Sequence, residues 1–248
     1  MTINMNEYIN QNTLCYYAQT NEKFIKSNPK GIILEFPGLG GGSCLGGVDN
    51  VEDYSSDFAK KCAENGIILA YVFTGPWSWM NEGGVRIADA VVDALCEKYS
   101  FNNPTIVARG GSMGGLGALI YSLHSSHKIT ACSAACPCID VIEAIYAHPN
   151  FPRTFISAVA GYKDSSLTES LMTLSPMHNI DKMPHIPYFI ACCCDDELFS
   201  EEDLDRYVEK MRASGYDIEC VKMIGKKHGY FSSEGLERMR EFELSFFE

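Results

Sequence analysis

The sequence lacks the features of several large classes of protein. No apolar run approaches the roughly 20 residues that span a bilayer, so we predict no membrane segment. The first residues combine neither a basic segment nor an apolar core, and we expect no signal peptide. Asp and Glu outnumber Lys and Arg by 32 to 20, for a formal net charge of −12, and no stretch is rich in Lys and Arg. Such a chain is repelled by nucleic acid and anionic membranes, so we expect neither as a partner.

Motifs for metals and nucleotides are also absent. No two cysteines have the Cys-x2-Cys spacing of a zinc site, and no Gly-x-Gly-x-x-Gly motif follows the first predicted parallel strand. We therefore predict neither a metal ion nor another cofactor. Eleven cysteines could suit a disulfide scaffold, but 248 residues are too many for one and the count is odd. Several lie in apolar runs, at 131–136 and 191–194, which indicates small core residues kept reduced in a cytoplasmic protein.

What the sequence does contain is an alternation of strand-like and helical patterns over one predicted domain, 1–248. Apolar runs predict strands at 31–36, 67–73, 105–108, 129–136, 187–194 and 218–224, and amphipathic helices follow most of them. This alternation predicts an α/β fold with a mostly parallel sheet covered by helices on both faces. Residues 13–19 and 23–26 predict a hairpin at the sheet edge. The stretch at about 138–182 lacks an obvious strand and is predicted to form a small cap over the site.

The sharpest local signal is Gly-Gly-Ser-Met-Gly at 110–114, between a predicted strand and a predicted helix. A Gly-x-Ser-x-Gly pattern suits a tight turn in which strained backbone lifts the Ser112 hydroxyl out of the sheet. Two alternatives are a glycine turn without chemistry and a phosphate-binding loop. The second is disfavoured because Met113 and Leu116 stand where a lysine would be required. We therefore interpret Ser112 as a nucleophile.

A serine nucleophile needs a base and an acid that orients the base. Of six histidines, His228 lies after the last predicted strand, at the same sheet edge as Ser112. The other five lie at the far end of the following helix or in or beside the predicted cap: His124, His127, His148, His178 and His185. The strand at 187–194 ends in Asp195, Asp196 and Glu197, and each of these could supply the acid by proximity.

The chain order serine, acid, histidine and the strand–turn–helix around Ser112 resemble the α/β-hydrolase superfamily of esterases and lipases. The segment Asp196-Glu197-Leu198-Phe199 is similar to that family's acid loop, and this resemblance favours Asp196 over Asp195. Ser175-Pro176 before 186–187, with Gly-x-Ser-x-Gly-Gly, is similar to the prolyl oligopeptidase and dienelactone hydrolase branches. The resemblance covers about 31–248 and implies an α/β-hydrolase fold.

The same resemblance implies an oxyanion hole formed by backbone N–H groups. One is that of Met113, and the other is that of Leu39, with Gly40 as the alternative. This chain has Pro37-Gly38 where the family usually has His-Gly. The implied activity is hydrolysis of a small or medium carboxylic ester through an acyl-enzyme. The alternatives are a serine peptidase of the prolyl oligopeptidase type and a catalytically silent binding protein.

Two further observations concern the surroundings of the predicted site. Glu35 and Arg109 each interrupt an apolar strand, and we predict that they pair to brace the nucleophile turn, since an unpaired buried charge is unfavourable. The alternative is that each reaches the sheet edge separately. Trp77 and Trp79 follow the strand at 67–73 and, together with Gly40, are predicted to line the substrate pocket. The alternative for the tryptophans is packing under the cap.

Overall fold

A computed structural model describes residues 4–39 and 54–248 of the chain. The strands are β1 Ala18–Thr20, β2 Gly31–Phe36, β3 Ile67–Val72, β4 Thr105–Gly111, β5 Ala131–Ala135, β6 Tyr188–Cys193 and β7 Ile218–Met223. The helices are α1 Asp57–Glu64, α2 Glu82–Tyr99, α3 Met113–His124, α4 Val141–Ala144, α5 Phe151–Val159, α6 Leu167–Thr173, α7 Glu201–Ala213 and α8 Ser233–Leu244. Within this part of the chain, no helix is both long and apolar enough to cross a membrane.

The strands form one sheet in the order β1-β3-β2-β4-β5-β6-β7. Only β1 runs antiparallel to its neighbour, and the six remaining strands are parallel. This arrangement confirms the mostly parallel sheet predicted from the alternation of patterns. It also brings the carboxyl ends of β2, β4, β5, β6 and β7 to one edge, where ligands bind in open parallel sheets.

Helices cover both faces of the sheet, as predicted. Buried residues of β2 to β7 pack on one face against α2, α3 and α7, in the largest apolar cluster of the described chain. On the other face, the central strands pack against α1 and the C-terminal residues, and the outer strands β6 and β7 pack against α8. Because each central strand is covered on both sides, it has almost no polar positions.

The predicted N-terminal hairpin is wrong. Residues 22–24 form a 3-10 turn, and β1 pairs with β3 alone. β1 ends just before Asn21. The buried Asn21 side chain hydrogen-bonds to the backbone of β3, where the backbone of another strand residue would otherwise pair. The side chain accepts from the Leu69 N–H at 2.9 Å and donates to the Ile67 carbonyl at 3.0 Å.

The segment predicted as a cap contains helices α4, α5 and α6 with 3-10 turns and no strand. It packs on the rest of the molecule through aromatic rings, since Phe155 of α5 stacks on Trp79 at a centroid distance of 4.0 Å. Residues Phe151 and Phe155 are both buried. The segment is therefore fastened to the chain that follows β3, while its role as a cap stays a prediction.

Candidate active site

Ser112 forms the turn between β4 and α3, with φ 58° and ψ −122°. This left-handed backbone is strained for a residue other than glycine, at about 1–3 kcal/mol. Neighbouring backbone groups hold it in place. The Ser112 N–H donates to the Ala135 carbonyl at 2.9 Å, and the Ser112 carbonyl accepts from the Gly115 N–H at 3.0 Å. The turn therefore presents the hydroxyl at the carboxyl edge of the sheet.

The flanking glycines are required by close backbone contacts. A Cβ atom on Gly110 would lie 2.2 Å from the Gly114 carbonyl oxygen. A Cβ atom on Gly114 would lie 2.0 Å from the Phe36 carbonyl oxygen at the end of β2. The turn thus abuts β2 with no side chain between them, which explains why the motif needs glycine at both positions.

We expect Gly114→Ala to lower the free energy of unfolding by about 3 kcal/mol, because the backbone atoms that the new methyl group meets have no room to move. Thermal and urea unfolding measure this change. Gly161→Ala is the matched control, since a Cβ there would meet no atom within 4 Å. Equal stability of the two variants would contradict the described packing.

The structure brings Ser112, His228 and Asp196 together as a hydrogen-bonded chain. His228 Nε2 lies 2.8 Å from Ser112 Oγ, and His228 Nδ1 lies 2.6 Å from Asp196 Oδ2. The Asp196 side chain is 3% exposed and that of His228 is 14% exposed. The three side chains come from three loops at one edge of the sheet and lie within hydrogen-bonding reach, as predicted, while their catalytic roles stay predictions.

The acid loop itself shows why Asp196 occupies this place. Asp196 Oδ1 accepts from the backbone N–H groups of Leu198 at 2.8 Å and Phe199 at 3.1 Å. Such donors stabilise a carboxylate and fix its orientation. Asp195 and Glu197 are exposed, and the backbone N–H of Asp195 donates to the Lys226 carbonyl. The choice of Asp196 from the acid-loop resemblance therefore agrees with the geometry.

Phe199 is a neighbour of the site that the sequence did not single out. Its ring meets the His228 ring edge to face at 5.2 Å and stacks on Phe151 of α5 at 5.9 Å. Phe199 therefore joins the imidazole to the segment between β5 and β6. An aromatic residue after the acid was visible in the sequence, but its contact across the loops was not.

The oxyanion donors implied by the resemblance are the backbone N–H groups of Met113 and Leu39. Met113 is the first residue of α3, where N–H groups have no partner within the helix. The chain before Leu39 runs next to the turn, because a Cβ on Gly38 would lie 3.9 Å from the Ser112 Cβ. Gly40, the alternative donor, lies outside the described residues. The donor roles of Leu39 and Met113 stay predictions.

A cavity of about 260 Å³ opens beside Ser112 and His228. Its walls include apolar side chains of the His228 loop and of α8, namely Phe231, Leu236 and Met239. Glu35 and Arg109 also line the cavity. The distance between Arg109 Nη1 and Glu35 Oε2 is 3.8 Å, which confirms the predicted pair.

The pair has a third member that sequence reasoning missed, Glu243 of α8. Its side chain is 0% exposed, and its Oε1 lies 3.3 Å from Arg109 Nε. Although burial lowers the pKa of Arg109, the Glu243 and Glu35 carboxylates raise it above its usual value, so the guanidinium stays charged. The sequence held a signal, because Glu243 lies among apolar positions, Met239 and Phe242 of α8 and Phe246 just after it.

The pocket role predicted for the tryptophans is not what the structure shows. The prediction that Trp79 lines the pocket is wrong. Trp79 is 0% exposed, stacks on Phe155 and donates its indole N–H to Thr154 Oγ1 at 3.1 Å. Trp77 is exposed, with the Arg153 guanidinium 5.0 Å from the centroid of its ring. Among the described lining residues of the Ser112 cavity, neither tryptophan occurs. Packing under the inserted segment, the alternative interpretation, holds for Trp79.

Three of the buried cysteines that the structure describes are unsuited to act as the nucleophile. Cys136 lines the Ser112 cavity, but burial raises the pKa of its thiol, and a reactive cysteine needs a lowered one. Burial likewise raises the pKa of Cys62 and of Cys132 to about 12. Within residues 4–39 and 54–248, no group of three or more His, Cys, Asp or Glu side chains could hold a metal ion.

We expect iodoacetamide at pH 8 to alkylate exposed Cys15 and to leave Cys62 and Cys132 unmodified in the folded protein. A raised pKa keeps a thiol protonated at this pH, and burial removes it from the reagent. Peptide mapping by mass spectrometry measures the modified fraction at each site. Rapid alkylation of Cys132 without unfolding would contradict its burial.

Comparison with known proteins places the chain in a family. The sequence model of the prolyl oligopeptidase family matches residues 79–248. The chain belongs to the prolyl oligopeptidase family. No curated protein sequence matches it significantly.

Solved structures share the fold over nine-tenths of the chain. Puromycin hydrolase is 21% identical with a TM-score of 0.68, and the match covers 90% of this chain and 34% of that one. Pyrococcus horikoshii acylaminoacyl peptidase is 14% identical, with a TM-score of 0.67 and coverages of 90% and 37%. Esterase B from Lactobacillus rhamnosis is 12% identical, with a TM-score of 0.66 and coverages of 90% and 76%. The predicted α/β-hydrolase fold is confirmed, and this chain spans about a third of puromycin hydrolase.

Proposed function

We propose that the protein is a serine hydrolase that cleaves a small or medium carboxylic ester through an acyl-enzyme intermediate. The observation that carries this proposal is the hydrogen-bonded chain from Ser112 Oγ through His228 to Asp196. A serine hydroxyl is a weak nucleophile unless a base removes its proton, and here the base lies within reach of the hydroxyl.

In the first half of the reaction, His228 Nε2 takes the proton as Ser112 Oγ attacks the ester carbonyl carbon. Asp196 keeps Nδ1 protonated and stabilises the imidazolium that forms. The Met113 and Leu39 N–H groups stabilise the negative charge on the carbonyl oxygen. Each such donor is worth about 3 kcal/mol of transition-state stabilisation in studied hydrolases. The tetrahedral intermediate collapses when His228 gives its proton to the leaving alkoxide, and the alcohol departs.

In the second half, His228 accepts a proton from water while the water oxygen attacks the acyl carbon. The new intermediate breaks its bond to Ser112 Oγ, which regains a proton from His228. The carboxylic acid leaves, and the enzyme returns to its starting state. The mechanism uses no metal ion or other cofactor, and the cavity beside Ser112 suits one modest substituent.

A peptidase of the prolyl oligopeptidase type is the second candidate. The family match over 79–248 favours it, and solved relatives include an acylaminoacyl peptidase as well as an esterase. Peptide and ester cleavage use the same acyl-enzyme chemistry, so the difference lies in the leaving group and the walls that hold it. A catalytically silent binding protein is disfavoured because all three side chains are present and in contact.

A fluorophosphonate probe followed by a substrate panel tests these functions. We expect the probe to form one adduct, on the peptide that contains Ser112, as read by mass spectrometry. A panel of p-nitrophenyl acyl esters and aminoacyl p-nitroanilides is then compared by kcat/KM. Higher values for the esters support the proposal, and higher values for the anilides favour the peptidase. Absence of any adduct would identify a binding protein.

A further inference from the structure

A row of polar side chains crosses the central sheet just below the Ser112 turn. Glu35 of β2 is in register with Arg109 of β4, and Arg109 is in register with Ser133 of β5. The same face of these strands is otherwise apolar, as at Ile33, Val107 and Ala131. Charged groups in a sheet covered on both faces are unfavourable unless they are paired, so their presence calls for a reason beyond packing.

The row is linked by contacts that converge on Arg109. Its guanidinium lies between two carboxylates, Glu35 on a neighbouring strand and Glu243 on α8, at 3.8 Å and 3.3 Å. Ser133 Oγ donates to Glu243 Oε1, and Tyr54 Oη donates to Glu35 Oε2 at 3.0 Å. The Arg109 side chain is 11% exposed. Arg109 thereby ties β4 to β2 and to the C-terminal helix at one level of the sheet.

This level lies directly beneath the two backbone segments that the proposed chemistry uses. Arg109 precedes Ser112 by three residues, and Glu35 precedes Leu39 by four. Above the pair, the turn meets β2 through backbone alone, where Gly114 approaches the Phe36 carbonyl. The distance between the Ser112 turn and the Leu39 loop is therefore set by how β2 and β4 are held together.

We propose that Arg109 is a positioning residue that holds the Ser112 turn and the Leu39 loop at the spacing required for oxyanion stabilisation. The proposal rests on the serine hydrolase function proposed above. Arg109 acts through the backbone of β4, because its charge is already matched by two carboxylates. Displacement of a reacting group by about 1 Å can lower a rate by about 100-fold, so a small shift between the two strands is sufficient.

The arginine is suited to this task in a way that lysine is not. A guanidinium presents several N–H groups in a planar fork and can contact two carboxylates from one fixed position. A lysine ammonium on a flexible stem would contact Glu35 or Glu243 without fixing both. We therefore expect the kcat of Arg109→Lys to lie between that of Arg109→Met and that of the wild type.

The test compares Arg109→Met, Arg109→Lys and Glu35→Gln with a control at the other end of the sheet. The control is Asn21→Ala, which removes buried hydrogen bonds to Ala59 and Leu69 without contacting the row. Each variant is assayed at least about 15 °C below its melting temperature. The measurements are kcat and KM for the best substrate from the panel, the fluorophosphonate labelling rate, and inhibition by a trifluoromethyl ketone that mimics the tetrahedral intermediate.

We expect Arg109→Met to lower kcat and the labelling rate by about 10- to 100-fold with KM within about twofold. The trifluoromethyl ketone should lose affinity in proportion to kcat, since both depend on the oxyanion donors. Arg109→Lys and Glu35→Gln should show smaller losses of the same kind. Asn21→Ala should lower the melting temperature and leave kcat within about twofold of the wild type.

Several results would overturn the proposal. A raised KM with unchanged kcat would show that Arg109 contacts the substrate directly. An equal loss of kcat in Asn21→Ala would show a general loss of structure. Unchanged kinetics in all three row variants would show that Arg109 has no positioning role.

If Arg109→Met does not fold, Arg109→Lys and Glu35→Gln decide by the same criteria. A wild-type protein that is neither labelled nor active overturns the hydrolase function as well, whereas a labelled and active wild type with unaffected row variants overturns only the positioning role.

Discussion

Ser112→Ala is expected to lower kcat by about 10⁶-fold, the largest effect of any substitution considered, because it removes the atom that forms the acyl-enzyme. The His228–Asp196 contact does not involve Ser112 and should persist. Alanine and serine are about equally strained at the φ of 58°, so the fold should be retained. The rate of ester hydrolysis measured against the uncatalysed reaction, together with circular dichroism, checks both expectations.

Ser122→Ala is a matched control for this substitution. Ser122 is buried on α3, and its hydroxyl donates to the Ala118 carbonyl at 2.8 Å within the same helix. Its loss should leave kcat within about twofold, since the hydrogen bond is local and worth about 1 kcal/mol. In studied hydrolases, the rest of the site still accelerates the reaction weakly when the nucleophile is removed. If Ser112→Ala kept more than about a thousandth of the wild-type activity, this weak acceleration would not explain it, and the nucleophile would be another residue.

Asp196→Asn is expected to lower kcat by about 10⁴-fold while the protein stays folded. The asparagine amide can donate to His228 Nδ1, which then carries no proton, and the proton moves to Nε2. A protonated Nε2 faces Ser112 Oγ and is unable to accept its proton. The loss should fall on kcat rather than KM, because the carboxylate touches the imidazole and not the substrate.

Asp195→Asn is the control for charge and position. It removes the same charge one residue away, but Asp195 is exposed and lies outside the hydrogen-bonded chain. Its kcat/KM should stay within about threefold of the wild type, as expected for a screened surface charge. A greater loss in Asp195→Asn than in Asp196→Asn would reverse the assignment of the acid.

The sequence predicted the parallel architecture and the loops that meet at one sheet edge, because both depend on local patterns. Apolar runs and turn residues placed the central strands, and parallel strands necessarily bring their carboxyl ends together. Ser112 and His228 followed from their positions after two such strands. The selection of Asp196 required the likeness of its loop to a known family, since three adjacent carboxyl groups are equivalent in spacing alone.

The edge strand and the tryptophans were predicted less well, because their environment depends on distant residues. A short polar segment such as 23–26 fits a strand or a turn, and pairing of β1 with β3 decided between them. Trp79 follows a strand at the site edge, as a pocket residue would. Its burial depends on Phe155, which is 76 positions away along the chain.

The amino-acid sequence by itself determined which central strands form, the tight glycine turn at Ser112 and the order of the three polar side chains. These features follow from periodicity and from steric limits on neighbouring residues. Tertiary structure alone decided that His228 contacts Ser112 and Asp196 at once, and that Glu243 joins Glu35 at Arg109. Those contacts join residues from different loops, strands and helices, and their distances are set by how the helices pack on the sheet.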